Sequence, residues 1–99
     1  MKEYVKIIIE DQDNKILEHH FVRENSWSIP AGKIEGNETP QNAAVRELLE
    51  RTGFEIKANK LTQIADELNF HVFKGKKQDI KKVAEPGERG GYSTTIRWN

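Results

Sequence analysis

The sequence contains no cysteine, only three prolines and one methionine, and no apolar run long enough to cross a membrane. The absence of cysteine excludes disulfide bonds and zinc sites that are built on thiolates. Residues 1–6 lack the pattern of a signal peptide, so we expect a cytoplasmic protein. Ninety-nine residues with 35% hydrophobic content predict one domain, residues 1–99, with a small core.

The net charge is zero, but the two halves of the chain differ in sign. Acidic residues outnumber basic ones in residues 1–50, and basic residues outnumber acidic ones in residues 51–99. This division suits a cleft in which carboxylates hold a cation and lysines attract an anionic substrate. It argues against extended nucleic-acid binding, because the lysines of residues 74–82 also lack the interleaved aromatic residues that stack on bases.

Alternating apolar residues predict strands on both sides of a central helix. The predicted strands are residues 1–10, 15–22, 54–67 with a polar break at 58–60, 70–73 and 92–98. We expect the first two strands to form a hairpin around the turn at residues 11–14, and residues 85–91 to form a glycine-rich loop. His19 and His20 face opposite sides of the second strand, where we interpret them as ordinary strand residues.

The segment from residue 32 to residue 54 combines a glycine-containing loop with a capped helix. Thr39 and Pro40 predict the helix start, and Gly53 predicts a left-handed cap at its end. The buried stripe is predicted to consist of Ala44, Val45, Leu48 and Leu49.

Glu47, Glu50 and Arg51 are predicted to project from a different face of this helix. Two carboxylates one turn apart beside a glycine loop can form an oxygen-rich site for a cation such as Mg²⁺. Spacing alone leaves a second interpretation open, namely a solvated helix face on which Arg46 pairs with Glu50.

The same segment resembles the Nudix box, which consists of Gly, five residues, Glu, seven residues and then Arg-Glu-aliphatic-x-Glu-Glu-x-Gly-aliphatic. The matching residues, in register and without a gap, are Gly32, Glu38, Arg46, Glu47, Leu48, Glu50, Gly53 and, at the last apolar position, Phe54. The preceding Pro30-Ala31-Gly32 resembles the family's Pro-Gly-Gly entry into the box.

The resemblance implies an α+β fold with a Nudix-like mixed β-sheet and the loop–helix of the box. The chain stops after the last predicted strand, so we expect an α/β/α sandwich that lacks the usual C-terminal helix. A less covered sheet face would favour a homodimer. The implied function is metal-dependent hydrolysis of the pyrophosphate in a nucleoside diphosphate derivative, with nucleoside triphosphates weakly preferred.

The resemblance also assigns roles to individual residues. Glu47, Glu50 and the carbonyl of Ala31 would bind Mg²⁺ or Mn²⁺, Glu47 would accept a proton, and Arg46 would hold the carboxylates in place. Gly32 and Gly53 would serve the backbone, and Glu38 would brace the loop against the helix. Glu85 and Glu88 are candidates for an additional ligand or base.

Arg51 departs from the family pattern, which has a second glutamate at this position. A cation there repels a bound metal ion, so metal affinity falls unless Arg51 turns away or another carboxylate joins the site. Alternatively, the Arg51 guanidinium contacts a substrate phosphate. An alternative function follows, in which a catalytically weakened Nudix fold binds a nucleotide or a protein partner.

Overall fold

The structure is a computed structural model that describes residues 3–90 and 92–99; the predictions for residues 1, 2 and 91 lie outside these ranges. The described residues form nine strands and one α-helix. The strands are β1 (Tyr4–Glu10), β2 (Leu17–Phe21), β3 (Ser26–Ser28), β4 (Ala31–Lys33), β5 (Phe54–Ile56), β6 (Thr62–Glu67), β7 (Phe70–Lys76), β8 (Ile80–Lys82) and β9 (Ser93–Trp98). Helix α1 (Pro40–Thr52) lies between β4 and β5, and short 3-10 turns occupy Ala58–Lys60 and Lys77–Asp79.

The strands form three sheets. The largest has the order β4-β1-β7-β6, in which only β1 and β7 run parallel. A second sheet has the order β3-β2-β9, and β5 pairs with β8; both are antiparallel. The predicted α+β class with a mixed sheet is therefore confirmed.

The predicted turn at residues 11–14 is present, but the two strands beside it do not pair along their length as the predicted hairpin requires. β7 pairs with the whole length of β1 on one side, and β4 pairs with its first three residues on the other, so β2 can reach only the far end of β1. A single bridge between Glu10 and Ile16 is what remains of the expected pairing. The pairs that β1 makes instead are distant in sequence, and local periodicity carries no information about them.

The core lies between the four-stranded sheet and helix α1. Val5, Ile7 and Ile9 point from one face of β1 and are fully buried. The rest of the buried cluster consists of Leu17, Ala43, Ala44, Leu48, Ile56, Leu61 and Phe73. Helix α1 packs on β1, β4 and β5, and this contact fixes the helix against the strand that contains Gly32.

Helix α1 begins and ends as the sequence predicts. The Thr39 hydroxyl accepts a hydrogen bond from the amide of Asn42 at 3.1 Å, and Pro40 occupies the first turn. Gly53 has a φ of 78°, and its amide donates to the carbonyl of Leu49 at 2.8 Å. No helix in the described part of the chain is long and apolar enough to span a membrane.

The buried face of α1 is rotated from the predicted stripe. Ala43, Ala44, Glu47 and Leu48 are buried, whereas Val45 and Leu49 are only partly covered. The expectation that Glu47 projects from a different face is therefore wrong. Glu47 can be buried because a glycine in β4 leaves room for its carboxylate, a contact that helical periodicity does not reveal.

Candidate active site

Glu47 lies at the interface between helix α1 and strand β4, and its side chain is only 5% exposed. Its carboxylate rests against the backbone of Gly32, so close that a methyl group built on Gly32 would lie 1.9 Å from Glu47 Oε2. Any side chain at position 32 would therefore displace the carboxylate. Gly32 is required here for close approach.

Arg46 connects the loop, the helix and the buried carboxylate. Its guanidinium donates to both oxygens of Glu38, with the closest contact at 2.8 Å, and to the carbonyl of Lys33 at 2.7 Å. Nη1 also donates to Glu47 Oε2 and to Glu50 Oε1, each at 3.2 Å. One side chain thus fixes three carboxylates and the backbone of β4 in a single arrangement.

Glu38 closes this network on the loop side. Its Oε1 accepts the amide of Glu35 at 2.9 Å in addition to its two bonds with Arg46. Hydrogen bonding to Arg46 holds the pKa of Glu38 below its usual range, although partial burial opposes the shift. The same contact with Glu38 is the largest cause of the raised pKa of Arg46.

Arg51 does not turn away from the site. Its Nε lies 3.3 Å from Glu47 Oε1, and its guanidinium carbon lies 5.4 Å from the centre of the Phe21 ring. Both oxygens of Glu47 therefore have a guanidinium partner. Burial nevertheless raises the pKa of Glu47, because the loss of water outweighs the opposing effects of Arg51 and Arg46.

The loop after β8 packs at the C-terminal end of α1. The amide of Gly87 donates to the carbonyl of Glu50 at 3.1 Å. The carboxylate of Glu85 pairs with Lys82 at 3.0 Å and is 68% exposed, while Glu88 Oε1 accepts the amide of Glu85 at 3.0 Å. The loop thus contacts Glu50 through the backbone amide of Gly87. The side chains of Glu85 and Glu88 instead have partners within the loop or beside it.

The carboxylates that converge on Arg46 suit a magnesium-type ion in their chemistry. Mg²⁺ binds oxygen, usually through one or two protein carboxylates, and takes its remaining ligands from water and substrate phosphates. Glu47 and Glu50 both lie 3.2 Å from the same nitrogen of Arg46, so the two carboxylates approach one position. Within residues 3–90 and 92–99, no three His, Cys, Asp or Glu residues form a group that could hold a metal ion.

His19 is buried on one face of β2 while its neighbour His20 lies on the other, so the prediction that the two histidines face opposite sides is confirmed. His19 is 3% exposed; its Nδ1 lies 2.8 Å from the Ser93 hydroxyl and its Nε2 lies 3.4 Å from that of Ser28. Burial, reinforced by the positive charge of Arg51, lowers its pKa to about 4. The alternation of Leu17 and His19 on one face of β2 was the signal that could have placed it inside.

These features define a class of protein: a small α+β domain in which a glycine loop and a capped helix present arginine-braced glutamates beside a mixed sheet. A profile of the NUDIX domain matches residues 2–90. The chain belongs to the NUDIX family.

Two similar proteins are named as pyrophosphate-cleaving enzymes. The chain is 44% identical over 77 residues to an ADP-ribose pyrophosphatase of Bacillus subtilis, a match that covers 69% of this chain and 37% of the relative. It is 41% identical over 49 residues to an RNA pyrophosphohydrolase of Halorhodospira halophila, covering 50% of this chain and 27% of the relative. The chain thus spans less than half the length of these relatives.

Solved structures share the fold across nearly the whole chain. A MutT chain from a structural study of the Aliivibrio salmonicida and Vibrio cholerae proteins superposes with a TM-score of 0.73 at 22% identity, covering 98% of this chain and 77% of that one. A Bacillus subtilis pyrophosphohydrolase gives 0.71 at 18% identity, covering 99% and 62%. At these identities the likeness concerns the fold alone.

Proposed function

We propose that this chain is a Nudix-type pyrophosphohydrolase that cleaves the pyrophosphate of a nucleoside diphosphate derivative, with nucleoside triphosphates weakly preferred. The observation that carries the proposal is the placement of Glu47, a buried carboxylate lodged against Gly32 and held by Arg46. The two relatives described above act on pyrophosphate bonds, as their names state. Their shared chemistry supports the reaction type and leaves the substrate open.

Glu47 is the proposed proton acceptor for the attacking water. Its raised pKa makes it a better base than an exposed glutamate, and its burial keeps it in one position. Arg46 is a positioning residue, since its guanidinium bonds fix Glu47 and Glu50 relative to the loop. Glu85 and Glu88 remain candidates for an additional base or ligand, which would require their side chains to leave their present partners.

Mg²⁺ or Mn²⁺ is the proposed cofactor, held by Glu47, Glu50 and the carbonyl of Ala31, the residue before Gly32. When bound, such an ion neutralises phosphate charge and lowers the pKa of a coordinated water. Arg51 would have to leave Glu47 to free a carboxylate oxygen, and it could then contact a substrate phosphate.

A second candidate function is a Nudix fold that binds nucleotides, or a protein partner, without hydrolysing them. The contact of Arg51 with Glu47 favours it, because a guanidinium occupies the carboxylate that a metal would need. In this alternative Arg51 neutralises Glu47 permanently, and the site serves recognition.

The test is phosphate or pyrophosphate release from a panel of nucleoside di- and triphosphate derivatives, with Mg²⁺ and with Mn²⁺. We expect hydrolysis by the native chain and a fall of at least about a hundredfold in Glu47→Gln, because the buried carboxylate is lost. Glu55→Gln, an exposed glutamate in β5, is the matched control and should keep full activity.

Arg51→Glu separates the two candidates. An inactive native chain together with an active Arg51→Glu variant would overturn the hydrolase, and nucleotide binding by that inactive native chain would establish the binding function. Inactivity of both proteins towards the entire panel, with nucleotide binding also absent, would overturn both candidates.

A further inference from the structure

A row of aromatic and guanidinium groups extends from Glu47 to the protein surface. Arg51, which contacts Glu47, lies over the ring of Phe21. Phe21 in turn lies 6.3 Å from the ring centre of Tyr92, and the Arg23 guanidinium carbon lies 4.9 Å from the Tyr92 ring centre. We call Phe21, Arg23, Arg51 and Tyr92 the stacking row.

The stacking row is positioned by the backbone of the sheet. Phe21 ends strand β2, and the amide of Val22 donates to the carbonyl of Tyr92 at 3.0 Å. This bond sets Tyr92 beside Phe21 where β9 begins. Tyr92 stays 54% exposed, so a flat ligand can reach the part of its ring that Arg23 does not cover.

The two ends of the stacking row differ in their chemistry. Its inner end holds the Arg51 cation, which can receive a phosphate once it leaves the Glu47 carboxylate, while its outer end holds the exposed Tyr92 ring. Arg23 sits on the exposed turn after β2 and lies over one side of that ring, so a base can stack there once the Arg23 side chain moves outward, from where it can cover the ligand. A nucleotide matches this arrangement, because its phosphate chain can contact Arg51 while its planar base stacks on Tyr92.

We propose that the stacking row binds the base of a nucleoside 5′-triphosphate on Tyr92 while Arg51 receives its phosphates. The inference rests on the proposed function for the direction of the phosphates towards Glu47. Stacking does not distinguish strongly among bases, so ATP and GTP should bind alike. The same 5′-triphosphate chemistry occurs in free nucleotides and at the 5′ end of RNA, and the test includes both.

The test measures binding apart from hydrolysis. Titration with α,β-methylene ATP, followed by calorimetry, gives the Kd of the native chain, Tyr92→Leu and Tyr92→Phe. We expect Tyr92→Leu to raise the Kd roughly tenfold to a hundredfold, because the stacked base loses its platform. Tyr92→Phe keeps the ring and should bind as the native chain does.

Trp27→Leu is the matched control. Trp27 also lies under an arginine, with the Arg97 guanidinium carbon 4.3 Å from its ring centre, but it projects with His20 from the opposite face of the same sheet. Its replacement should leave the Kd unchanged. Tripolyphosphate, which has no base, should bind the native chain and Tyr92→Leu equally.

The outcomes separate this inference from the proposed function. Native binding that Tyr92→Leu weakens supports the stacking row even when no protein hydrolyses the panel, in which case only the hydrolase proposal fails. An unchanged Kd in Tyr92→Leu, or equal weakening for tripolyphosphate, overturns the inference whatever the activity. A 5′-triphosphorylated RNA oligonucleotide, titrated in parallel, distinguishes RNA ends from free nucleotides as the ligand. If the RNA binds more tightly than α,β-methylene ATP and Tyr92→Leu abolishes this binding, the stacking row is assigned to RNA ends. If the RNA binds more weakly, the row is assigned to free nucleotides.

Discussion

Glu47 has two guanidinium partners and a glycine backbone around its carboxylate, and each limits where that carboxylate can lie. The arrangement keeps a charged group inside the protein at the interface of α1 and β4. A buried carboxylate without such partners would be strongly destabilising. At the scale of single residues, the site therefore depends on Arg46 and Arg51 for charge balance and on Gly32 for space.

Gly32→Ala tests the need for space. The added methyl would overlap the end of the Glu47 side chain, which can move, so we expect the fold to persist while the carboxylate is displaced. A displacement of about 1 Å can cost roughly a hundredfold in rate, and we expect a fall of that size in hydrolysis. Gly36→Ala is the control for steric contact, because its positive φ strains the backbone but nothing lies within 4 Å of its added methyl. Full activity in Gly32→Ala would show that the contact is dispensable.

His19 predicts an acid-sensitive stability. It stays neutral in the folded protein down to a pKa of about 4, whereas the unfolded chain takes up the proton near 6.5. The unfolded state therefore binds more protons between these values, and the free energy of unfolding falls as the pH is lowered, by roughly 1.4 kcal/mol per pH unit from this group. Urea unfolding between pH 4.5 and 7 measures the slope.

Variants isolate the effect of His19 from that of Glu47. The raised pKa of Glu47 acts in the opposite direction above pH 4.5, because its folded form keeps the proton longer. We therefore compare His19→Gln, expected to flatten the dependence, with His20→Gln, which lies next to it on the opposite face and should retain it. Parallel profiles for His19→Gln and the native chain would contradict the prediction.

Helix α1 is the element that carries the site, and its ends fix its position. Gly53 adopts a left-handed conformation in which a methyl would lie 2.0 Å from the carbonyl oxygen of Ala84. The same residue accepts hydrogen bonds from the amides of Val83 and Ala84, so the end of the helix and the loop after β8 meet there. A change at Gly53 would thus disturb both the helix and the loop near Glu50.

Gly53→Ala should be more destabilising than Gly36→Ala. Both positions have positive φ, which costs about 1–2 kcal/mol for alanine, but only Gly53 also meets backbone atoms. Overpacking of this kind adds typically about 1–3 kcal/mol. Chemical denaturation of the two variants measures the difference, and equal losses would show that the contact with Ala84 relaxes without cost.

At the scale of the whole molecule, the large sheet ends in an exposed strand. All six residues of β6 are exposed, with Ile64 at 49%, and Leu68 in the following turn is 88% exposed. An edge strand with apolar side chains can pair with another chain. We predict a homodimer formed through β6.

Sedimentation at micromolar concentration tests this dimer. Ile64→Lys should yield a monomer, because a charge on the paired strand would be buried in the dimer. Thr95→Lys, at an exposed position in the other sheet, should leave the association unchanged. A monomeric native chain would contradict the prediction.

Much of this architecture was predictable from local sequence. Thr39, Pro40 and Gly53 predicted the bounds of α1, because caps depend on neighbouring residues alone. The break at residues 58–60 was also correct, since it separates β5 from β6 as a 3-10 turn. The Nudix box predicted the family, which the match over residues 2–90 confirms.

The spatial pairing of these elements was decided by the tertiary structure. Strand β1 was predicted to pair with β2 and instead lies between β4 and β7, because strand partners distant in sequence leave no periodic signal. Glu47 was expected on a different face from the buried stripe, and only the approach of Gly32 shows why it is inside. His19 and the stacking row likewise depend on contacts between β2, β9 and α1.

The sequence by itself determined three features: the capped helix, the glutamates and arginines of the site, and the family. Each of them depends on residues that are contiguous in the chain. The tertiary structure decided that Arg51 lies on Glu47 and that Tyr92 adjoins Phe21. Both contacts depend on the angle at which α1 packs and on where β9 begins beside β2. The physical reason is that side-chain charge and shape are local properties, whereas burial and proximity arise only when distant segments pack together.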